Sequence, residues 1–152
     1  DTYNPDEFRL GIYKSGLEVD SIYKLKGGKF SIQFDCKPQR FLVSGETAQT
    51  FTASGSITNP TNFDSSPLLE VVGTGTVTIG SYSFSISTNP GRIYIDCDIM
   101  EAWSLSGSSK ISQNGAVNYT NLKTPKIEPG TRAIVLGSGI TELKITPRWW
   151  RL

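Results

Sequence analysis

Between Leu68 and Ile99 the sequence is cut into four short runs, Leu68 to Val72, Gly75 to Ile79, Tyr82 to Ile86 and Arg92 to Ile99, by Gly73, Gly80-Ser81 and Asn89-Pro90-Gly91. Within the runs apolar residues return at every second position: Val77 with Ile79, Tyr82 with Phe84 and Ile86, Ile93 with Ile95 and Cys97. A period of two is strand geometry, because successive side chains point to opposite faces of a sheet. Runs this short, at this even spacing and bounded by tight-turn residues, predict a sandwich or barrel. A compact antiparallel meander with those inward faces is the expectation.

The rest of the composition agrees. Thr, Ser and Gly are abundant, and the single methionine, Met100, leaves little of the flexible apolar stock that long helices use. A chain of 152 residues buries one respectable core, so one main domain with at most a small appendage is expected. Lys and Arg number 15 against 14 Asp and Glu, with no basic block, so nucleic acid is not an expected partner. No apolar run approaches the roughly 20 residues that span a bilayer, and Asp1 to Asp6 are polar and acidic rather than signal-like. The expectation is a soluble chain without an address. There is no histidine, which excludes a histidine triad or a histidine zinc site within the chain. No internal repeat is visible.

Outside the central runs, Asn4-Pro5-Asp6-Glu7 reads as a helix start that Gly11 or Gly16 would stop, giving a short helix. Lys24-Leu25-Lys26-Gly27-Gly28 is a turn signal. Phe30, Ile32, Phe34 and Cys36 then alternate with Ser31, Gln33 and Asp35 in the most regular half-buried strand pattern of the chain, which Lys37-Pro38 ends. Ser44-Gly45-Glu46 marks a domain boundary. Thr50 to Ile57 is strand-like, and the stretches Asn59-Pro60-Thr61-Asn62 and Ser65-Ser66-Pro67 form a loop. Ser104 to Ser109 reads as flexible, Asn114-Gly115 as a hairpin turn, and Lys126 to Gly130 as a turn before a strand from Arg132 to Leu136. The final element runs from Gly139 to Leu152, with Pro147 at an edge or strand end.

Several constellations carry possible chemistry. Asp96, Asp98 and Glu101 are candidates for paired carboxylates, but in a strand Asp96 and Asp98 share one face opposite Cys97, and solvent-facing carboxylates explain the pattern. Gly73-Thr74-Gly75-Thr76-Val77 resembles part of a phosphate loop without the helix that makes such loops bind anions; turn glycines are the better reading. Cys36 and Cys97, remote from each other and free of any metal-ligand spacing, are expected to be buried free thiols. Asn118-Tyr119-Thr120 fits a glycosylation pattern too short to carry weight. Trp103, Trp149, Trp150, Tyr82 and Tyr94 could form an aromatic platform for a sugar, although core and edge-cover roles are preferred. Adjacent Trp149 and Trp150 must point to opposite faces of a strand, so at least one meets solvent, an insertion or a partner. Arg148 and Arg151 flank them and are expected to stack guanidinium on indole. No catalytic residue, cofactor or metal is expected, and the chain reads as a structural or binding component rather than an enzyme.

The ending Lys144-Ile145-Thr146-Pro147-Arg148-Trp149-Trp150-Arg151-Leu152 resembles the ITPRWW ending, plus one or two residues, of many distal tail proteins of siphophages and related prophage tail components. Two further stretches fit in order. They are Gly28-Lys29-Phe30-Ser31-Ile32-Gln33-Phe34-Asp35-Cys36-Lys37-Pro38-Gln39-Arg40-Phe41-Leu42, and Ile57 to Asn62 followed by Ser66-Pro67-Leu68-Leu69-Glu70-Val71-Val72-Gly73-Thr74-Gly75. In that family an amino-terminal β-rich domain forms a hexameric ring and a galectin-like β-sandwich projects from it. The resemblance therefore implies an all-β chain, with residues 1–46 the end of the ring or belt domain, holding a short helix and a strand, and 47–152 the galectin-like antiparallel sandwich. Ring domains of the family carry on the order of a hundred residues before the position of Lys29, so the chain is expected to be a fragment. Its lone strands are expected to pair with another copy or lie against the sandwich.

The implied function is that of a structural virion protein of a long-tailed phage or prophage, a tail-tip hub joining the tail tube to the baseplate or tail fibre. The implied partners are the tail tube protein and fibre or baseplate proteins, in a hexamer at full length, with no nucleic-acid contact required and no membrane. The implied location is the virion tail, assembled in the bacterial host cytoplasm. Candidate interface residues are Phe30, Phe34, Phe41, Trp149 and Trp150. The sandwich lacks the long insertion that serves some members as a receptor-binding arm, which favours a simple hub. The alternative is a carbohydrate-binding β-sandwich module for a host-surface glycan, which would show exposed, near-coplanar rings beside Asn, Asp or Arg on one sheet face. A hydrolase would instead need two of Asp96, Asp98 and Glu101 converging in a cleft.

Overall fold

The computed structural model describes residues 4–14, 18–19 and 30–152. Among these the chain is all-β. Its first six strands are short: β1 (Glu7–Phe8), β2 (Gly11–Tyr13), β3 (Glu18–Val19), β4 (Phe30–Ser31), β5 (Phe34–Cys36) and β6 (Arg40–Leu42). A 3-10 helical turn, Val43–Glu46, leads into the longer elements. These are β7 (Gln49–Phe51), β8 (Gly55–Asn59), β9 (Leu68–Gly73), β10 (Gly75–Ile79), β11 (Tyr82–Ile86), β12 (Ile93–Asp96), β13 (Glu101–Ser106), β14 (Ser109–Ser112), β15 (Val117–Tyr119), β16 (Gly130–Leu136), β17 (Ile140–Thr146) and β18 (Trp150–Arg151).

Two antiparallel sheets stack into a sandwich, one ordered β14-β13-β12-β9-β17-β7 and the other β15-β11-β10-β16-β8. The alternation seen in the sequence is the reason. Leu69, Val71, Ile93, Ile95, Leu143 and Ile145 face inward from the first sheet, and Ile57, Val77, Ile79, Phe84, Ile86 and Ile134 from the second, all essentially closed to solvent. Burying each such side chain contributes roughly 1.5–3 kcal/mol, which makes this double layer the main source of stability. No helix among the described residues is long and apolar enough to cross a membrane.

The central runs are strands where expected, but they are not a meander. Only β10 and β11 form a hairpin there, while β9 and β12 pair with each other in the opposite sheet. The chain changes sheets at Gly73-Thr74-Gly75: Gly73 takes φ +103°, and a Cβ on it would lie 2.1 Å from the Gly139 carbonyl oxygen. Glycine is required by that approach, and a crossover replaces the tight turn. Thr50 to Ile57 is likewise split, because β7 and β8 belong to different sheets.

Other expectations are corrected by nonlocal pairing. Asn114-Gly115 closes no hairpin. It forms the 3-10 turn Asn114–Ala116 that carries the chain from β14 in one sheet to β15 in the other, with the Asn114 side-chain oxygen accepting the Ala102 N–H at 2.6 Å. The hairpin lies earlier, around Gly107, where Ser106 pairs with Ser109 in the segment that read as flexible. The run from Arg92 to Ile99 stops as a strand at Asp96. At the amino terminus the expected helix is absent: the Glu7 N–H donates to the Asn4 carbonyl in a turn and the chain enters β1, paired with β6. A helix stopped by Gly11 would be too short to repay its nucleation, and pairing with β6 satisfies the backbone instead.

The segment from Phe30 to Cys36 is two short strands rather than one, β4 on β3 and β5 on β2. Phe34 is 58% exposed, and Cys36 is an exposed free thiol, not a buried one. Cys97 is free and buried, as expected. The turn signal at 24–28 and the stop at Gly16 lie outside the described residues.

Two predictions follow from the core. Phe84→Ala removes a fully buried ring from the sandwich centre and is expected to cost about 3–5 kcal/mol in chemical denaturation. Burial, with Asp96 beside it, pushes the Cys97 thiol far above its ordinary value, so a maleimide should label one thiol per native chain and two in denaturant. Equal labelling in both states would contradict the placement of Cys97.

Candidate functional site: the carboxyl-terminal clasp

Pro147 closes β17, since without an N–H it cannot continue the ladder. Arg148 then takes φ +58°, a left-handed conformation uncommon for a residue with a Cβ and unfavourable by roughly 1–2 kcal/mol. Three bonds hold it there. Its N–H donates to the Gly45 carbonyl at 2.8 Å, and its guanidinium forms a two-pronged pair with Asp96, Nη1 to Oδ1 at 2.8 Å and Nη2 to Oδ2 at 2.9 Å. Gly45 has to be glycine, because a Cβ there would lie 2.3 Å from the Trp149 nitrogen.

The turn aims the next two side chains in opposite directions. Trp149 goes into the sandwich, 3% exposed, and its carbonyl accepts the Leu42 N–H at 2.9 Å. Trp150 opens β18, which pairs with β6 (Trp150 with Phe41, Arg151 with Arg40) and completes a three-stranded sheet ordered β1-β6-β18. Its indole stacks on Phe63 at 4.5 Å, and Nε1 donates to the Asp64 carbonyl at 2.9 Å. The loop that presents Phe63 and Asp64 is fixed by buried Asn59: Nδ2 donates to the Phe63 and Ile127 carbonyls, while Oδ1 accepts from the Thr61 N–H and hydroxyl. On the same face of the sheet Phe8, paired with Phe41 across β1 and β6, stacks on it at 5.5 Å. Glu7, 2% exposed, is ion-paired with Arg151 and lies 3.7 Å from Arg40, which also donates to the Leu152 carbonyl.

Burial alone would raise the Asp96 carboxyl. The Arg148 hydrogen bonds and charge, with the backbone N–H groups of Asp98 and Ile99, outweigh it and hold the carboxyl below its ordinary value. The hydrogen bond to Asp96 correspondingly raises Arg148, against its own burial. The carboxylate expected to face solvent is therefore a structural anchor and is not free for acid-base chemistry. Asp98 lines the cleft beside it, of about 230 Å³, with Phe41, Trp150, Lys37 and Lys126.

Of the five candidate interface residues, the structure brings Phe41, Trp149 and Trp150 together. Phe34 stands apart on the β2–β5 ribbon, edge-on to Tyr13 at 6.1 Å. Phe30 pairs with Val19 between β4 and β3, and its side chain lies outside the described residues. Sequence reasoning missed Glu7, Gly45 and Asp96 as clasp residues, and no periodicity could have linked positions so far apart. Arg148 and Arg151 were expected to stack on indoles; both bind carboxylates instead, a stronger charge-assisted contact. Among the described residues it is Lys110 that lies over an indole, 4.0 Å from the Trp103 ring.

Trp103 lies on the outer face of the six-stranded sheet, parallel to Tyr94 at 5.8 Å. Tyr94 and Lys110 reach it from the two flanking strands. Beside them Arg92 bridges Glu70 and Glu142, and Lys144 binds Glu70. Of the five aromatic residues considered as one platform, only Tyr94 and Trp103 come together, while Trp149, Trp150 and Tyr82 lie elsewhere. Among the described residues, no group of three or more His, Cys, Asp and Glu could hold a metal ion.

No protein-family model matches the sequence, and no curated protein matches it. The structure is similar to that of the SPP1 Dit (gp 19.1) protein, described as a paradigm of the hub adsorption apparatus in phages that infect Gram-positive bacteria. The likeness has a TM-score of 0.61 at 12% identity and covers 97% of this chain and 62% of that one. The chain therefore spans less than two thirds of the length of that neighbour, and it shares its all-β fold.

The clasp predicts a coupled pair. Asp96→Ala and Arg148→Ala should each cost about 1–3 kcal/mol, with the double mutant costing much less than their sum. Because the folded carboxyl titrates below its ordinary 3.8, its contribution is present above that pH and is lost as pH falls through the lower folded value. Acid denaturation of Asp96→Asn should lack this component; an unchanged acid midpoint relative to neutral stability would contradict the pair.

Proposed function

We propose that this chain is a structural component of a long-tailed phage or prophage tail tip, a hub that joins the tail tube to the baseplate or tail fibre. The observation that carries the reading is the fold likeness to SPP1 Dit, which covers 97% of this chain. The three sequence stretches that resemble distal tail proteins support it, because they supply the parts of the clasp: Phe41 and Leu42 on β6, Asn59 and its loop, and Arg148 to Arg151. In this reading residues 1–46 are the end of a ring domain and 47–152 the galectin-like sandwich. Phe34 and Phe41 then belong to surfaces completed by other copies or by tail proteins.

The mechanism is geometric. Six copies would form a ring around the tail axis, leaving a channel for ejected components, while the tail tube protein and fibre or baseplate proteins dock on its two sides. No bond chemistry is involved, and the virion tail is where the protein would act after assembly in the host cytoplasm. The engagement of Asp96 by Arg148 fits a scaffold better than a catalyst.

Antibodies against this chain are expected to decorate the distal end of tails on intact virions that carry it, with about six copies per particle by quantitative mass spectrometry. Decoration of capsids, or absence of the chain from purified virions, would sink the hub reading.

A further inference from the structure

Four non-glycine residues in the described structure take left-handed backbone conformations: Met100, Asn121, Leu122 and Arg148. The clasp accounts for Arg148. The other three sit on two loops, the turn after β12 and the turn after β15. Asn tolerates this conformation, but for Met and Leu it is unfavourable, and burial does not repay it, since Met100 is 53% and Leu122 86% exposed. Strain of this kind, unsupported by the core, points to a role outside the fold.

The two loops meet over Tyr82. Met100, Leu122, Lys123 and Lys126 line a groove of about 320 Å³ there. It shares Tyr82 and Lys123 with a second depression of about 240 Å³ that reaches Asn121. The lining therefore offers one aromatic ring, one amide, the Thr120 and Thr124 hydroxyls and two ammonium groups, the Ser81 and Ser83 hydroxyls being bonded to Glu128 and to the Val77 carbonyl. Neither pocket lining contains a carboxylate; Lys123 borders both depressions, while Lys126 also borders the cleft that holds Asp64 and Asp98. Nearby Glu128 is already engaged by Arg132 at 3.4 Å and by the Ser81 hydroxyl at 3.0 Å. Burial first, then the Asp64 and Glu128 charges, hold the Tyr82 phenol above its ordinary value, so it remains a hydrogen-bond donor at neutral pH.

An aromatic face suits the C–H surface of a sugar ring, the amide and hydroxyls suit its hydroxyl groups, and paired ammonium groups suit an anionic substituent. We propose that the groove over Tyr82 binds an acidic glycan, a hydroxyl-rich chain bearing carboxylate or phosphate groups. The tail-hub reading does not require this site, and the two stand or fall separately.

The test is calorimetric titration of the full chain with trigalacturonate as the carboxylate source, short poly(glycerol phosphate) as the phosphate source and maltotriose as the neutral control. One acidic probe should bind more tightly than maltotriose, and added salt should weaken it. The Lys123→Ala/Lys126→Ala double variant should lose about tenfold in affinity, while Lys110→Ala, on the opposite sheet, should bind as the parent does. All three lysines are surface residues, so unchanged melting temperatures check folding. The proposal is overturned if neither acidic probe binds at about 10 mM, if maltotriose binds equally well, or if the double variant matches the parent.

Discussion

The ion pair between Arg148 and Asp96 decides where the chain goes once the sandwich is complete. Asp96 is the last residue of β12, near the middle of the six-stranded sheet, and Arg148 follows the last long strand. Joining them holds the left-handed turn at Arg148. That turn buries Trp149 and releases Trp150 onto β6. Without it the three-stranded sheet would lose β18, and Glu7 would lose one of its arginines while remaining buried, which is the costly way to break such a contact. This two-pronged contact thus acts with the Leu42–Trp149 and Trp150–Asp64 hydrogen bonds to connect the core to the three-stranded sheet.

The two outer faces of the sandwich have different chemistry. On the five-stranded sheet, Ser56, Thr58, Thr76, Thr78, Ser83, Ser85 and Thr131 alternate with the buried positions, some joined hydroxyl to hydroxyl, as in Thr58 with Thr131 at 3.0 Å. On the six-stranded sheet the outward positions hold the Arg92, Glu70, Glu142 and Lys144 network and the Tyr94–Trp103 pair. These ion pairs are partly buried, with Glu70 only 15% exposed between Arg92 and Lys144, and they orient one another. The same alternation that makes the core therefore sorts neutral from charged groups onto opposite sides of the molecule.

Much of the sandwich was legible in the sequence because a period of two is local: Val77, Phe84 and Ile95 declare their face by their neighbours alone. The sheet to which each strand belongs was not legible. A glycine such as Gly73 looks the same whether it turns a hairpin or carries a crossover, and only the Gly139 carbonyl against it decides. Phe30 to Cys36 misled for the opposite reason. Its alternation was real, but Ile32 and Phe34 remain exposed, so the pattern buries no face there among the described residues. At the clasp, the tryptophan pair announced itself by two large adjacent rings, whereas Asp96 gave no sign of its role. A carboxylate's partner is a matter of distance in space, here 52 residues along the chain.

Among the described residues, the amino-terminal strands β1, β2, β5 and β6 are attached to the sandwich through the clasp rather than through its core. The β2–β5 ribbon leaves Ile12 76% and Phe34 58% exposed, and an isolated two-stranded ribbon is marginal in water. What attaches it is the neighbouring strand β6, held between β1 and β18 and tied to the sandwich by Leu42 on Trp149. Burial therefore decreases step by step, from the double layer through Trp149 in the clasp to the exposed ribbon. Contacts that shift the clasp would move the ribbon with it, and large exposed apolar side chains at the end of that series are more stable when another surface covers them.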